Sequence, residues 1–316
     1  TVGGNRNESV GALKVIAAHR DELPMSDQLP TLDPPKHTDH RALLMRLITP
    51  KRLKENEDAM WALVDRALDG YLVGSGGEFI AGFAGPFTLL VIADLLGVPD
   101  ADRAEFVSQM RGGGHEGGGV GSVKGTSLAH SPLEYLYDKF SAYIDDRRRN
   151  PRGDVLSDMA AATFPDGSVP DAGDVARVAA NLYSAGQETT VRLLSAALQV
   201  LGERPDIQAQ LRADRSKVGN FIEEALRYEG PVKGDFRMAK QAVTLAGVEV
   251  PAGATLMVVN AAANRDPRRF TDPDTFDPVR SNARQHIAFG RGVHTCPGAP
   301  LARPRRFPDG PPLRPS

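Results

Sequence analysis

The sequence predicts a mainly α-helical protein with a small β element. Apolar residues recur at helical spacing through most of the first two thirds of the chain, and one such run extends from Pro170 to Glu203. Only after residue 240 does the pattern shorten into strand-like segments separated by turn residues.

Taken in order, residues 38–48 and 51–72 carry apolar positions at helical spacing, with Pro50 at a helix start, where its missing N–H costs nothing. Residues 79–96 form a strongly apolar stretch that ends at Gly97, a residue type that stops helices. Residues 99–111 and 132–149 read as two further amphipathic helices. Between them, residues 112–125 are so rich in glycine that a flexible loop is expected. Lys124 follows Val123 rather than glycine, so the spacing of a phosphate-binding loop fails. The run from Pro170 opens on Pro170-Asp171 and closes before Pro205. At 1.5 Å per residue it would be roughly 50 Å long, enough to cross a domain. A helix over 215–229 follows, then strands over 242–245, 248–250 and 254–259, with Pro251-Ala-Gly253 expected as the turn between the last two. Residues 264–288, rich in Pro, Asp and Arg, read as an ordered but irregular meander.

Charge is nearly balanced, 38 Lys and Arg against 40 Asp and Glu, which argues against nucleic acid or an anionic membrane as partner. No apolar run reaches transmembrane length, so no membrane anchor is expected, and the first residues lack the shape of a signal peptide. The single cysteine, Cys296, allows no intrachain disulfide and fits a reducing, cytoplasmic setting.

That cysteine lies in Phe289-Gly-Arg-Gly-Val-His294-Thr-Cys296-Pro-Gly298. Gly292 and Gly298 let the backbone approach something flat, His294 offers a donor two residues away, and Ile287-Ala-Phe289 shields one side. Such surroundings suit a sulfur that ligates a metal. Backbone N–H groups near a helix start would help keep it a thiolate. Upstream, Ala185-Gly186-Gln-Glu188-Thr189-Thr190 sits inside the long helical run, a poor piece of helix by propensity, whose threonine hydroxyls can bond back to carbonyls one turn earlier. Glu224 and Arg227 lie three apart on one helix face, a pair worth a few tenths of a kcal/mol in isolation. His37 and Arg41 are one helical turn apart.

These motifs, in this order over residues 30–303, resemble the cytochrome P-450 family. The pattern Phe-x-x-Gly-x-His-x-Cys-x-Gly is similar to its haem-binding loop, and Ala185 to Thr189 to the oxygen-binding groove of its central helix. The resemblance implies a cytochrome P-450-like fold with haem b (iron protoporphyrin IX), its iron held by Cys296 and its rim by Phe289 and Gly298. Ala185 and Gly186 would widen the central helix for O2, Thr189 would hydrogen-bond there, and Glu188 would relay protons. His37, Arg41, Arg237 and His294 match the positions that bind the haem propionates. Glu224 and Arg227, with Arg280 of the meander, match a buried structural trio.

The implied reaction is insertion of one oxygen atom of O2 into a C–H bond of a small apolar substrate. A separate ferredoxin and ferredoxin reductase would supply electrons, since no flavin or ferredoxin segment stands in the sequence. Leu182, Tyr183, Ala185 and residues 232–235 are candidate pocket residues, with Lys233 and Asp235 as a polar patch. Family members carry further helices and strands before Asp33-Pro-Pro-Lys-His37 and a long helix after the cysteine. Here Pro304, Pro308, Pro311, Pro312 and Pro315 follow instead. The fold is therefore expected to be incomplete at both termini, residues 1–303 forming one incomplete domain and 304–316 a proline-rich, non-native-looking tail. Two other readings stay open, a peroxide-driven haem enzyme and an inactive remnant that binds no haem.

Overall fold

The computed structural model describes Met25 and residues 27–73, 77–112, 123–124, 127–128 and 132–303. Most of the glycine-rich loop expected at 112–125 and the whole tail 304–316 lie outside the described residues. In chain order the helices begin with α1 (Lys36–Leu47), α2 (Pro50–Glu55), α3 (Glu57–Val73), α4 (Gly85–Leu95) and α5 (Asp100–Gly112). A small ladder of β1 (Val123–Lys124) and β2 (Ser127–Leu128) precedes α6 (Pro132–Arg149), α7 (Val155–Ala160), α8 (Ala172–Glu203), α9 (Pro205–Ala213) and α10 (Val218–Glu229). Strands β3 (Asp235–Met238), β4 (Val243–Leu245), β5 (Val248–Val250) and β6 (Thr255–Val258) lead to α11 (Asn260–Ala263), the meander and α12 (Ala299–Ala302).

Helix α8 organises the rest. Asp171 caps it, its side chain accepting from the Asp174 N–H at 2.7 Å. Its apolar face packs against α1, α4, α6 and α10. Phe106, Phe140 and Tyr183, from α5, α6 and α8, meet with ring centroids 5.3–6.4 Å apart and are fully buried. Each such side chain contributes about 1.5–3 kcal/mol relative to exposure. Where α4 crosses α8, a Cβ added to Gly186 would sit 2.7 Å from Ile92 Cδ1, so glycine sets the close approach there.

The apolar stretch from residue 79 is not one regular helix. Pro86 has no N–H to return to a carbonyl one turn earlier, and the segment Ile80–Ala84 winds as a π turn, with Gly85 N–H bonded to Ile80. The helix expected over 51–72 likewise breaks at Asn56, and the one expected over 215–229 begins as a 3-10 turn, Arg215–Lys217.

The β element differs from the expectation in its pairing. β4 and β5 form a hairpin across Ala246-Gly247, both with positive φ, as tight two-residue hairpins require. β6 pairs with β3 instead, so Pro251-Ala-Gly253 links two sheets rather than closing a hairpin. Among the described residues, no helix is long and apolar enough to cross a membrane.

Candidate functional site

The loop before α12 is built by glycines. Gly290 and Gly292 hold φ of 68° and 80°, conformations a side chain would strain. They let the Cys296 N–H donate to the Phe289 carbonyl at 2.8 Å and the Thr295 N–H to Gly292 at 3.0 Å. The Cys296 thiol is half-buried, and a Cβ on Gly298 would lie 3.7 Å from its sulfur. Burial pushes the thiol above its ordinary range, while the N–H groups of Gly298 and Ala299 and the charges of Arg41 and Arg303 pull the other way. The backbone N–H groups act in the direction expected from sequence but do not outweigh burial. A coordinating metal would, because it deprotonates a thiol outright.

Four side chains from distant parts of the chain gather at this loop. The rings of His37 and His294 lie 4.1 Å apart, centroid to centroid. Arg41 Nη2 donates to the Thr295 carbonyl at 2.7 Å. Arg237, on β3, is near enough that its charge depresses His294, after burial the largest such influence. Burial, then the proximity of His294 and Arg41, lowers His37 to about 4. His37 is 2% exposed, and its Nε2 is buried without a hydrogen-bond partner among the described residues. Asp33, which pairs with Lys240, is the one acid whose charge acts in the opposite sense on both histidines. Two histidines and two arginines beside a half-buried thiol, with one buried nitrogen unsatisfied, fit the two carboxylates of a haem whose iron the sulfur would hold.

The motif on α8 lies within the helix, which is α-helical through residues 185–190. As the sequence allows, the hydroxyls of Thr189 and Thr190 donate to the carbonyls of Ala185 and Gly186, one turn earlier, at 2.8 and 2.7 Å. Glu188 forms an exposed pair with Arg192, one turn on, with Nε at 3.1 Å. Ala185 is exposed, whereas Leu182 and Tyr183 are buried core residues, because that side of α8 packs against α6. Lys233 pairs with Glu229, and Asp235 accepts from Asn260 Nδ2 at 3.0 Å, so neither is a free polar patch.

Behind the loop, the Glu224 carboxylate accepts from Arg227 Nε and Nη2 at 2.7 Å each, from Arg280 Nε at 3.0 Å and from the Asp277 N–H at 3.0 Å. The remaining guanidinium donors bond to carbonyls of Asn264, Thr271, Asp272, Pro273 and Thr275. Sequence reasoning missed Glu223, the neighbour of Glu224. Its carboxylate meets His286 Nε2 at 3.0 Å, Arg303 Nε at 2.9 Å and Arg284 Nε at 3.2 Å. Burial opposes ionisation of Glu223, yet the bonds from His286, Arg303 and Arg284 hold its carboxyl down at about 2. The Glu-Glu doublet and a histidine three residues before Phe289 were the only available signals.

The family model described as Cytochrome P450 matches residues 134–307. The chain is 36% identical over 288 residues to Cytochrome P450 144 of Mycobacterium tuberculosis, covering 87% of this chain and 63% of that protein. It is also 36% identical over 274 residues to the cytochrome P450 monooxygenase PikC of Streptomyces venezuelae, covering 86% and 64%. It thus spans less than two thirds of the length of either relative. Among solved structures, substrate-free cytochrome P450 CYP150A6 of Mycobacterium marinum aligns with a TM-score of 0.81 at 51% identity, over 95% of this chain and 68% of that one.

Proposed function

The chain belongs to the cytochrome P450 family, and on that premise we propose that it is a haem-dependent monooxygenase. It inserts one atom of O2 into a C–H bond of an apolar small molecule, with electrons from a separate ferredoxin and ferredoxin reductase. The observation that carries this reading is the meeting of His37, Arg41, Arg237 and His294 at the Cys296 loop, with His37 Nε2 buried and unpartnered.

In this reading residues 1–303 serve as one haem domain, working in the cytoplasm, where a lone thiol stays reduced. The cofactor is haem b. When bound, it supplies iron for O2 activation, and the thiolate ligand favours O–O cleavage by electron donation. The chain's own residues do the rest. Cys296 offers the sulfur, Phe289 and Gly298 flank it, and the two arginines and two histidines neutralise the propionates. Ala185 and Gly186 keep the face of α8 small. Thr189, whose hydroxyl donates to the Ala185 carbonyl, would hold a proton on the haem side of α8, and Glu188 would exchange protons with solvent from its exposed ion pair.

The test is to load the chain with haem, reduce it, add CO and record the visible spectrum. The long-wavelength band of thiolate-ligated haem is expected, and its absence from Cys296→Ser. A band typical of histidine or neutral thiol in the unaltered chain would overturn the assignment. Thr189→Ala is expected to consume reductant at a similar rate while product falls about a hundredfold, the low end of the range for a proton-delivery group, and peroxide appears. Unchanged coupling would remove Thr189 from the mechanism.

A further inference from the structure

Cys296 stands between two residues that end on one carboxylate. His286 lies ten positions before it and Arg303 seven after. His286 Nδ1 accepts from the Ala288 N–H at 3.0 Å, which leaves Nε2 to donate to Glu223 Oε2 at 3.0 Å. Arg303 donates to the same carboxylate through Nε at 2.9 Å and Nη2 at 3.2 Å. The ring is closed through Phe289, whose face carries the Arg303 guanidinium at 4.4 Å and whose ring lies 5.9 Å from that of His286. Phe289 is also the residue whose carbonyl takes the Cys296 N–H. The Glu223 and His286 side chains are 4% and 0% exposed, so the bond between them is made away from water and is costly to leave unmade, while Arg303 reaches in from a partly exposed position.

We propose that Glu223 is the positioning residue of the cysteine loop, a clamp that ties the loop's entry through His286 and its exit through Arg303 to helix α10 and so holds the Cys296 sulfur in place. It acts on the site through these residues and touches neither substrate nor cofactor. Glu224 next to it performs a separate task, because its partners Arg227, Asp277 and Arg280 all precede the cysteine loop and none follows it. The geometry of the clamp stands without a cofactor, but the purpose assigned to it rests on the haem-thiolate reading above.

Because Cys296 is the only cysteine, its rate of reaction with a chromogenic disulfide reagent reads the opening of this loop directly, on the haem-free 316-residue chain at fixed pH. Glu223→Gln weakens both tethers and is expected to speed the reaction about tenfold, the size of a lost charge-assisted bond in a local opening. Arg303→Met, which cuts only the exit tether, is expected to give a smaller acceleration. The helical circular dichroism should stay close to that of the unaltered chain, and any fall in melting midpoint should be too small to account for the acceleration. After haem loading, both variants are expected to show a larger share of the neutral-thiol CO band at equal haem content. Reaction at the unaltered rate in both variants would overturn the clamp, as would acceleration that merely tracks a fall in melting midpoint. A thiolate band in the unaltered chain beside unchanged reactivity in both variants would sink the clamp and leave the proposed function standing. Accelerated thiols in a chain that takes up no haem would do the reverse.

Discussion

The knot of Glu224, Arg227 and Arg280 and the cluster of His37, Arg41, Arg237 and His294 both bring charged or chargeable side chains together across long stretches of chain, and they end differently. In the knot, the carboxylate meets two guanidinium groups and a backbone N–H, and the spare donors find carbonyls of the meander. Nothing there waits for a ligand. In the cluster the positive and polar groups converge, the histidines are held well below their ordinary range, and a buried nitrogen has no partner among the described residues. A network satisfied from within is structural, whereas one left short of anionic charge is a site.

The largest expected effect breaks the closed half of this comparison. Glu224→Ala strands two buried guanidinium groups and is expected to cost about 3–5 kcal/mol, read by chemical denaturation of the haem-free chain. A cost below about 1 kcal/mol, the range of surface pairs, would show that the knot is not the keystone described. The open half should behave in the opposite way. Arg41→Ala is expected to change the stability of the haem-free chain little, while weakening haem binding by about tenfold or more. Equal haem affinity would mean that Arg41 serves only to bond Thr295.

The smallest effect is one of pH. His37 titrates near 6.5 when unfolded and at about 4 when folded. Between these values the unfolded chain holds a proton that the folded chain lacks, so stability falls as pH drops through that window. His40 and His294 are also lowered and act in the same direction. His37→Phe should therefore flatten the loss of stability between about pH 6.5 and 4 without abolishing it. An unchanged slope would take His37 out of the account.

The long helix, its opening at Asp171 and the strands β4 and β5, though not their pairing, were legible from periodicity and turn residues, which are local properties. Strand β3 itself was not, since Asp235–Met238 is a short stretch of mixed character whose pairing with β6 is set by the fold. The π turn at Ile80–Ala84 was hidden because Pro86 is also common in the first turn of an ordinary helix. The site divides in the same way. Cys296, His294 and their glycines are neighbours in sequence, and the resemblance supplied His37, Arg41 and Arg237. Glu223 was passed over because a second acid beside Glu224 says nothing until folding brings His286 and Arg303 to it. Tyr183, adjacent to the α8 motif in sequence, lies on the face buried against Phe106 and Phe140, which periodicity alone did not single out.

The measurement that bears most directly on the central claim is a pair of titrations of the haem-free chain, one with haem and one with its dimethyl ester, which keeps the ring and iron and lacks the carboxylates. If His37, Arg41, Arg237 and His294 form a carboxylate site, the ester binds at least about tenfold more weakly, the worth of one or two charge-assisted hydrogen bonds, and Arg41→Ala erases most of that difference. Equal affinity for haem and ester in the unaltered chain would contradict it, leaving the cluster as another structural network.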